Sequence, residues 1–361
     1  MSGAGGLLHD EWFADHRTPL RSEEILALSP AMRAFLATRV RDGNLRPGSA
    51  QALVKALYNG AQLRLEYDSS RTRTAAEAFA DRAGNCLSLV LMTGALAHAL
   101  GLQVEYRSAD VDPLWMRNGE LLIGSGHVSV RLGPRWLASR WNQEEPPLNV
   151  DFLSPRDAAA IPSQAVTERE VLAMFMNNRA VEALAATQTD QAYAWSREAL
   201  QLAPDFAAAY NTLGVVYLRR KAPEAAAATF RHALAIDSTN TRAMSNLATA
   251  LERLGEVAAA AALRDRVTAL EGEALFRDFS LGLAAMQQHD FAAARSLFAR
   301  EVARADYNHE FHFWLAQADW QLGLQEEARR ELERAGAVST TVRDRERYAA
   351  KLAWLRAQQL Q

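Results

Sequence analysis

The sequence predicts an α+β domain followed by an all-α solenoid. Three observations carry that reading. An apolar, helix-like run over residues 86–101 is followed by short alternating, strand-like runs up to Asp151. From Ala173 onward a self-similar pattern recurs every 34 residues. Between the two, the composition shifts to alanine, leucine, arginine and glutamate. A chain of 361 residues is also longer than one ordinary domain core requires.

In chain order, residues 1–60 are expected to form a helical extension that packs on the α+β domain. Ser22-Glu23-Glu24 opens one short helix, Met32, Phe35 and Leu36 mark another, and residues 49–58 a third, stopped by Asn59-Gly60. The α+β domain is expected over 61–160. Thr74 and Glu77 form a capping-box pattern for a helix over 75–83, stopped by Gly84. Leu87, Val90, Leu91, Gly94, Leu96 and Leu100 then follow with helical spacing. With almost no charge, this second helix is expected to be buried.

Residues 102–106 alternate as a strand, 107–126 are expected to be less regular, with a turn at 112–115 and a short strand over 121–123, and His127-Val128-Ser129-Val130-Arg131-Leu132 alternates again. That period places His127, Ser129 and Arg131 on one face. Residues 161–172 are expected to be a linker, because Pro155 and Pro162 interrupt regular structure.

Cys86 is the sole cysteine, placed in the first turn of a helix. Free backbone N–H groups there favour an anion, which assists thiolate formation and offers donors to a developing oxyanion. His127 is a candidate base and Asp151 a candidate group to fix its tautomer. Taken singly, each has an ordinary structural reading as well: a packed thiol, a strand-start histidine, a capping aspartate. Asn85 and Tyr67 are candidate oxyanion donors beside the Cys86 backbone N–H.

Gly84-Asn85-Cys86-Leu87-Ser88, Gly126-His127-Val128 and Val150-Asp151-Phe152 resemble the three triad motifs of the bacterial transglutaminase-like superfamily. Leu65-Glu66-Tyr67-Asp68 and residues 72–77 resemble its lead-in to the nucleophile helix. The resemblance covers roughly residues 60–155. It implies a papain-like fold with Cys86 as nucleophile, His127 as general base and then acid, and Asp151 as the orienting group. It implies no metal and no organic cofactor.

The repeats occupy 173–342 as five units, beginning at Ala173, Ala207, Thr241, Leu275 and His309. Small residues stand at the eighth position (Ala180, Gly214, Ala248, Gly282, Ala316) and the twentieth (Ala192, Ala226, Ala260, Ala294, Ala328). A large apolar residue often follows at the twenty-fourth, as in Phe230, Phe298 and Leu332. The clearest unit, with Tyr210, Leu213, Gly214, Tyr217, Ala226, Phe230 and Ala233, resembles a tetratricopeptide repeat. That implies stacked helix pairs and a surface for a peptide or protein. Residues 343–361 are expected to cap the array. His309-Glu310-Phe311-His312 lacks the spacing of a zinc helix, so no metal is assigned.

With 40 basic and 43 acidic residues, the net charge of −3 offers no field for nucleic acid. No apolar run is long enough for a transmembrane segment. One cysteine allows no internal disulfide, and residues 1–6 have neither the basic start nor the apolar core of a signal peptide. The compartment, cytoplasmic, periplasmic or cell-envelope, stays open, since a leader removed earlier would leave the same start.

The leading functional expectation is a cysteine-dependent amide hydrolase or acyl transferase, most of all a peptidase, whose repeats recruit a peptide or protein. The alternative is a non-enzymatic interaction adaptor with a silent transglutaminase-like domain. A third reading is a ligand-binding module that uses the cleft.

Overall fold

The short N-terminal helices start where a polar side chain can satisfy free backbone N–H groups. In the computed structural model, described for residues 6–14, 20–40, 49–59, 65–68, 70–118, 121–135, 147–152, 163–271, 277–339 and 342–358, α1 spans Ser22–Ile25, α2 Pro30–Phe35 and α3 Ala50–Val54. Ser29 Oγ accepts from the Met32 N–H at 3.2 Å and Ser49 Oγ from the Ala52 N–H at 3.1 Å. Pro30 opens α2 at its first helical position, where no N–H is needed. Ile25, Met32 and Leu53 are fully buried.

The capping box forms as expected. Thr74 Oγ1 accepts from the Glu77 N–H at 3.2 Å, and the Glu77 carboxylate accepts from the Thr74 N–H at 2.8 Å. Helix α4 (Ala75–Asp81) ends earlier than expected, however, because Arg82 takes a left-handed φ of 53°. Gly84 is therefore not the stop. It lies in strand β2 (Ala83–Gly84), which pairs in parallel with β1 (Glu66–Tyr67). Helix α5 (Cys86–Ala99) follows. It is apolar all round, and every residue from Leu87 to Ala97 is buried.

The main sheet has four antiparallel strands in the order β5-β4-β3-β6: β3 (Leu102–Asn118), β4 (Leu121–Arg135), β5 (Leu148–Val150) and β6 (Ser163–Val166). Residues 121–123 are in a strand as expected, but residues 107–118 and 124–126, expected to be less regular, also belong to the long β3–β4 pair. Their Gly, Asp and Pro content hides the alternation, and the ladder shifts register between Ala109 and Leu114. Accordingly His127 lies inside β4 rather than at a strand start. The expected linker over 161–172 is also corrected. Its residues 163–166 form β6, whose Val166 pairs with Tyr106, and residues 168–172 begin a helix.

Tyr106 shows how closely α5 sits on the sheet. A Cβ on Gly94 would overlap the Tyr106 hydroxyl. That hydroxyl has no hydrogen-bond partner among the described residues, and burial pushes its pKa up. Tyr106→Phe is therefore expected to raise the unfolding free energy by about 1 kcal/mol, since it removes a buried, unsatisfied polar group. A fall in the urea midpoint would contradict this.

The repeats form helix pairs: α6 (Glu168–Ala185) with α7 (Thr189–Leu202), α8 (Ala207–Arg219) with α9 (Pro223–Ile236), α10 (Thr241–Arg253) with α11 (Val257–Glu271), α12 (Arg277–Gln287) with α13 (Phe291–Arg304), and α14 (His309–Gln321) with α15 (Gln325–Val338). Helix α16 (Val342–Gln358) ends the array. The second helix of each pair begins 34 residues after the last, and all five alanines of the twentieth position are fully buried. Helix α6 starts ahead of the expected phase because Thr167 and Glu170 form another capping box.

Each turn inside a pair holds one left-handed residue: Thr187, Lys221, Gly255, His289 and Gly323. Only glycine adopts that conformation without a Cβ penalty, and β-branched threonine suits it least. Thr187→Gly is expected to stabilise the chain by about 0.5–1 kcal/mol, the relieved strain less the glycine entropy. An unchanged or lower melting temperature would defeat this account.

The chain divides into two compact units, Met1–Arg264 and Asp265–Gln361. Within the first, the sheet, α5 and the early repeats share one core, which includes Val130, Leu91, Phe175, Tyr217 and Leu247. Within the second, Phe313, Leu332, Tyr348 and Leu355 form a core of their own, with Trp314 and Trp320 packed against it.

Candidate functional site

Asn85 fixes the start of α5. Its side-chain carbonyl accepts from the Ser88 N–H at 2.9 Å and from the Ser88 hydroxyl at 2.8 Å. Its amide nitrogen donates to Thr72 Oγ1 at 2.9 Å. Asn85 is thus committed to capping at both ends of its amide. Cys86 is next in the chain, half-buried, with a free thiol. Helix geometry leaves the N–H groups of the first turn without intrahelical acceptors.

The loop ahead of α4 braces this helix start from the other side. The Arg73 N–H donates to Ser88 Oγ at 2.8 Å. The Arg73 guanidinium bridges Asp68 and Asp81, each at 2.8 Å. Asp68 in turn donates its N–H to Gly84 O at 3.0 Å. Thr72 reaches the first repeat helix: its N–H donates to Glu182 at 2.5 Å, and its carbonyl accepts from Arg179 at 3.4 Å. Arg179 and Glu182 pair at 2.8 Å. Burial pushes the Glu182 carboxyl above its ordinary pKa, against the opposing effect of Arg179 and Thr72.

Strand register relates the other two candidates. Val130 of β4 pairs with Val150 of β5, and Arg131 with Asn149. β5 ends at Val150, one residue before Asp151, and His127 lies three residues before Val130 on β4. Positions 127 and 129 share one parity of the pleat. Val128, Val130 and Leu132 hold the other parity and are buried. Helix α5 packs on that second face, as the Gly94–Tyr106 contact shows, because Tyr106 pairs with Val130. So His127 lies on β4, and Asp151 directly follows β5, the strand paired with it. The His127 and Tyr67 side chains, and Trp136 and Trp141, lie outside the described residues. The Tyr67 backbone pairs with Gly84, two residues before Cys86.

The histidines of α14 are occupied by other contacts. His312 is buried, with Nδ1 at 2.6 Å from Glu331 and Nε2 at 2.7 Å from Asp306 O. His309 Nδ1 lies 2.7 Å from the Tyr348 hydroxyl. Among the described residues, no group of three or more His, Cys, Asp or Glu side chains is placed to hold a metal, and no helix is long and apolar enough to cross a membrane.

Against known families, residues 177–241 and 279–340 match the tetratricopeptide repeat model. The chain carries tetratricopeptide repeats. The matched stretches run from α6 into α10 and from α12 to two residues past α15, so the match bears on the solenoid and not on the α+β layer. No curated protein matches the chain.

Among solved structures, PilF of Pseudomonas aeruginosa is 21% identical over 53% of this chain and 90% of its own, with a TM-score of 0.31. YrrB, described as a tetratricopeptide-repeat protein with an unusual peptide-binding site, is 21% identical over 48% of this chain and 89% of its own, at 0.27. MamA is 18% identical over 46% of this chain and 91% of its own, at 0.27. At these scores the likenesses carry no conclusion about function.

Proposed function

We propose that this chain is a protein-interaction adaptor whose tetratricopeptide repeats hold a peptide or a protein partner. The observation that supports this best is the match of two stretches to the repeat family, on helix pairs of constant spacing. Stacked helix pairs present extended surfaces of the kind that bind peptides.

A second reading rests on a separate observation. The sole cysteine starts a buried, capped helix, and β4, which carries His127, pairs with β5, which ends one residue before Asp151. In that reading the α+β layer is transglutaminase-like. Cys86 attacks an amide carbonyl, His127 takes the thiol proton and passes it to the leaving amine, and Asp151 holds the imidazole. Water then releases the acyl group in a peptidase, or an amine takes it in a transamidase.

Thiol labelling separates the two. A silent α+β layer predicts slow labelling of Cys86 at neutral pH, at equal rates in the wild type and in His127→Ala. Labelling that is at least about tenfold faster in the wild type, the usual scale for an activating base, would replace the adaptor reading with the cysteine-enzyme reading. In that case Cys86→Ala should abolish turnover of a test peptide and Asp151→Asn should slow it.

A further inference from the structure

We infer that the seam between α7 and α8 is a recognition site for an acidic peptide segment carrying aromatic residues, held in cis by residues 7–13. This deepens the adaptor reading by naming its class of partner.

The segment sits about as far from these helices in sequence as the first unit allows, yet it is read by side chains at several points. The Tyr217 hydroxyl donates to Leu7 O at 2.6 Å, and Arg220 donates to Trp12 O. These are main-chain contacts, which any extended peptide can offer. Asp10 accepts from the Tyr193 hydroxyl at 2.6 Å and pairs with Arg197 at 3.1 Å. Phe13 stacks flat on Tyr193, with centroids 3.8 Å apart, and the Arg220 guanidinium lies 4.7 Å above its other side. Asp190 holds Arg220 in place at 3.1 Å. An acid and an aromatic ring are thus selected by two arginines and two tyrosines, while the backbone is gripped at each end.

Within this segment Phe13 is the core anchor, 5% exposed, with Leu7 and Leu8 packed against the same core. Residues 7–13 contribute a single short turn, Asp10–Trp12, and no strand pairing. Trp12 is 39% exposed, and it contacts the edge of Tyr217 and the face of His9 rather than filling a cavity. Beyond the Phe13 anchor, polar and ring contacts at a half-wet surface hold the segment. An incoming chain of the same chemistry can remake every one of them. Tethering gives the cis segment an effective concentration of about millimolar, so a peptide of micromolar affinity would be masked until the segment lifts.

The test uses the full chain and a fluorescein-labelled peptide of residues 7–14. The wild type is expected to bind it weakly. The Asp10→Ala/Phe13→Ala chain, with its own segment loosened, is expected to bind at least about tenfold more tightly. Adding Arg197→Ala and Arg220→Ala should return binding to the wild-type level. Absence of binding to the loosened chain, or binding indifferent to the two arginines, overturns the inference.

Hydrogen exchange on the unmutated chain provides an independent arm. Excess peptide should speed exchange in residues 7–13, and unchanged exchange counts against the proposal. Failure here leaves the adaptor reading standing, because that reading is tested by the His127-dependence of Cys86 labelling.

Discussion

Arg73→Ala is expected to lower the unfolding free energy of the first compact unit by about 3 kcal/mol, since it leaves a buried carboxylate without its partner. The Arg73 side chain is 9% exposed and that of Asp68 12%. Asp81, at 43%, is screened by water and adds little to the loss. The substitution acts at the candidate site as well, because the Arg73 backbone holds Ser88 while its side chain holds the loop that carries Thr72.

The loss should depend on pH. Burial tends to raise the Asp68 pKa, but hydrogen bonds from Ser70 and Arg73 outweigh it and hold the carboxyl below its ordinary value. The Arg73 hydrogen bond does the same for Asp81. Folded values below unfolded ones mean that this stability is fully present above the ordinary carboxylate pKa of about 4 and is lost as pH falls through the folded values. Urea unfolding at pH 7 and at pH 3 checks this. A deficit of the same size at both would show that lost packing, and not charge, is responsible.

The helix start at Cys86 was legible in the sequence because its signals are local. A threonine and a glutamate three apart, an asparagine before an apolar run, and a glycine after it act within a few residues. The repeats were legible because their signal recurs. Less legible was whatever joins distant parts of the chain. Thr72 and Glu182 lie 110 residues apart, and nothing near either one indicates that they bond.

The parallel pairing of Tyr67 with Gly84 was hidden for the same reason, as was the docking of residues 7–13 on α7 and α8. His9, for example, is half-buried against Trp12 and Tyr217. β6 was missed although a signal was present. The capping box of Thr167 and Glu170 shows that a helix starts there, which leaves room for only a short strand before it. The candidate triad was half legible. Alternation placed His127 with Ser129, and β5, paired with β4, ends one residue before Asp151. Where the Cys86 sulfur stands relative to the imidazole depends on packing between layers, for which periodicity has no signal.

Gly214→Ala is expected to cost about 1–3 kcal/mol, by overpacking, in a position where alanine normally favours a helix. The reason is a link between two repeat positions. A Cβ at Gly214 would overlap the Phe230 ring, and one at Gly282 would overlap Phe298. Both rings are fully buried, so neither can swing out. Where the twenty-fourth position is not phenylalanine, the eighth is alanine: Ala180 with Ser196, Ala248 with Arg264, Ala316 with Leu332. The glycine is therefore the seat of the ring rather than a general device for close helix approach.

Phe230→Leu alone should cost about 1 kcal/mol or slightly more, as a cavity forms above Gly214. Gly214→Ala with Phe230→Leu recreates the pair of the fifth repeat and should recover most of both losses. The coupling energy in that double-mutant cycle is expected to be about 1–2 kcal/mol in favour of the double variant. Simple additivity of the two single losses would mean that the ring and the glycine are not partners. The small residues of the eighth position would then have to be explained by backbone approach alone.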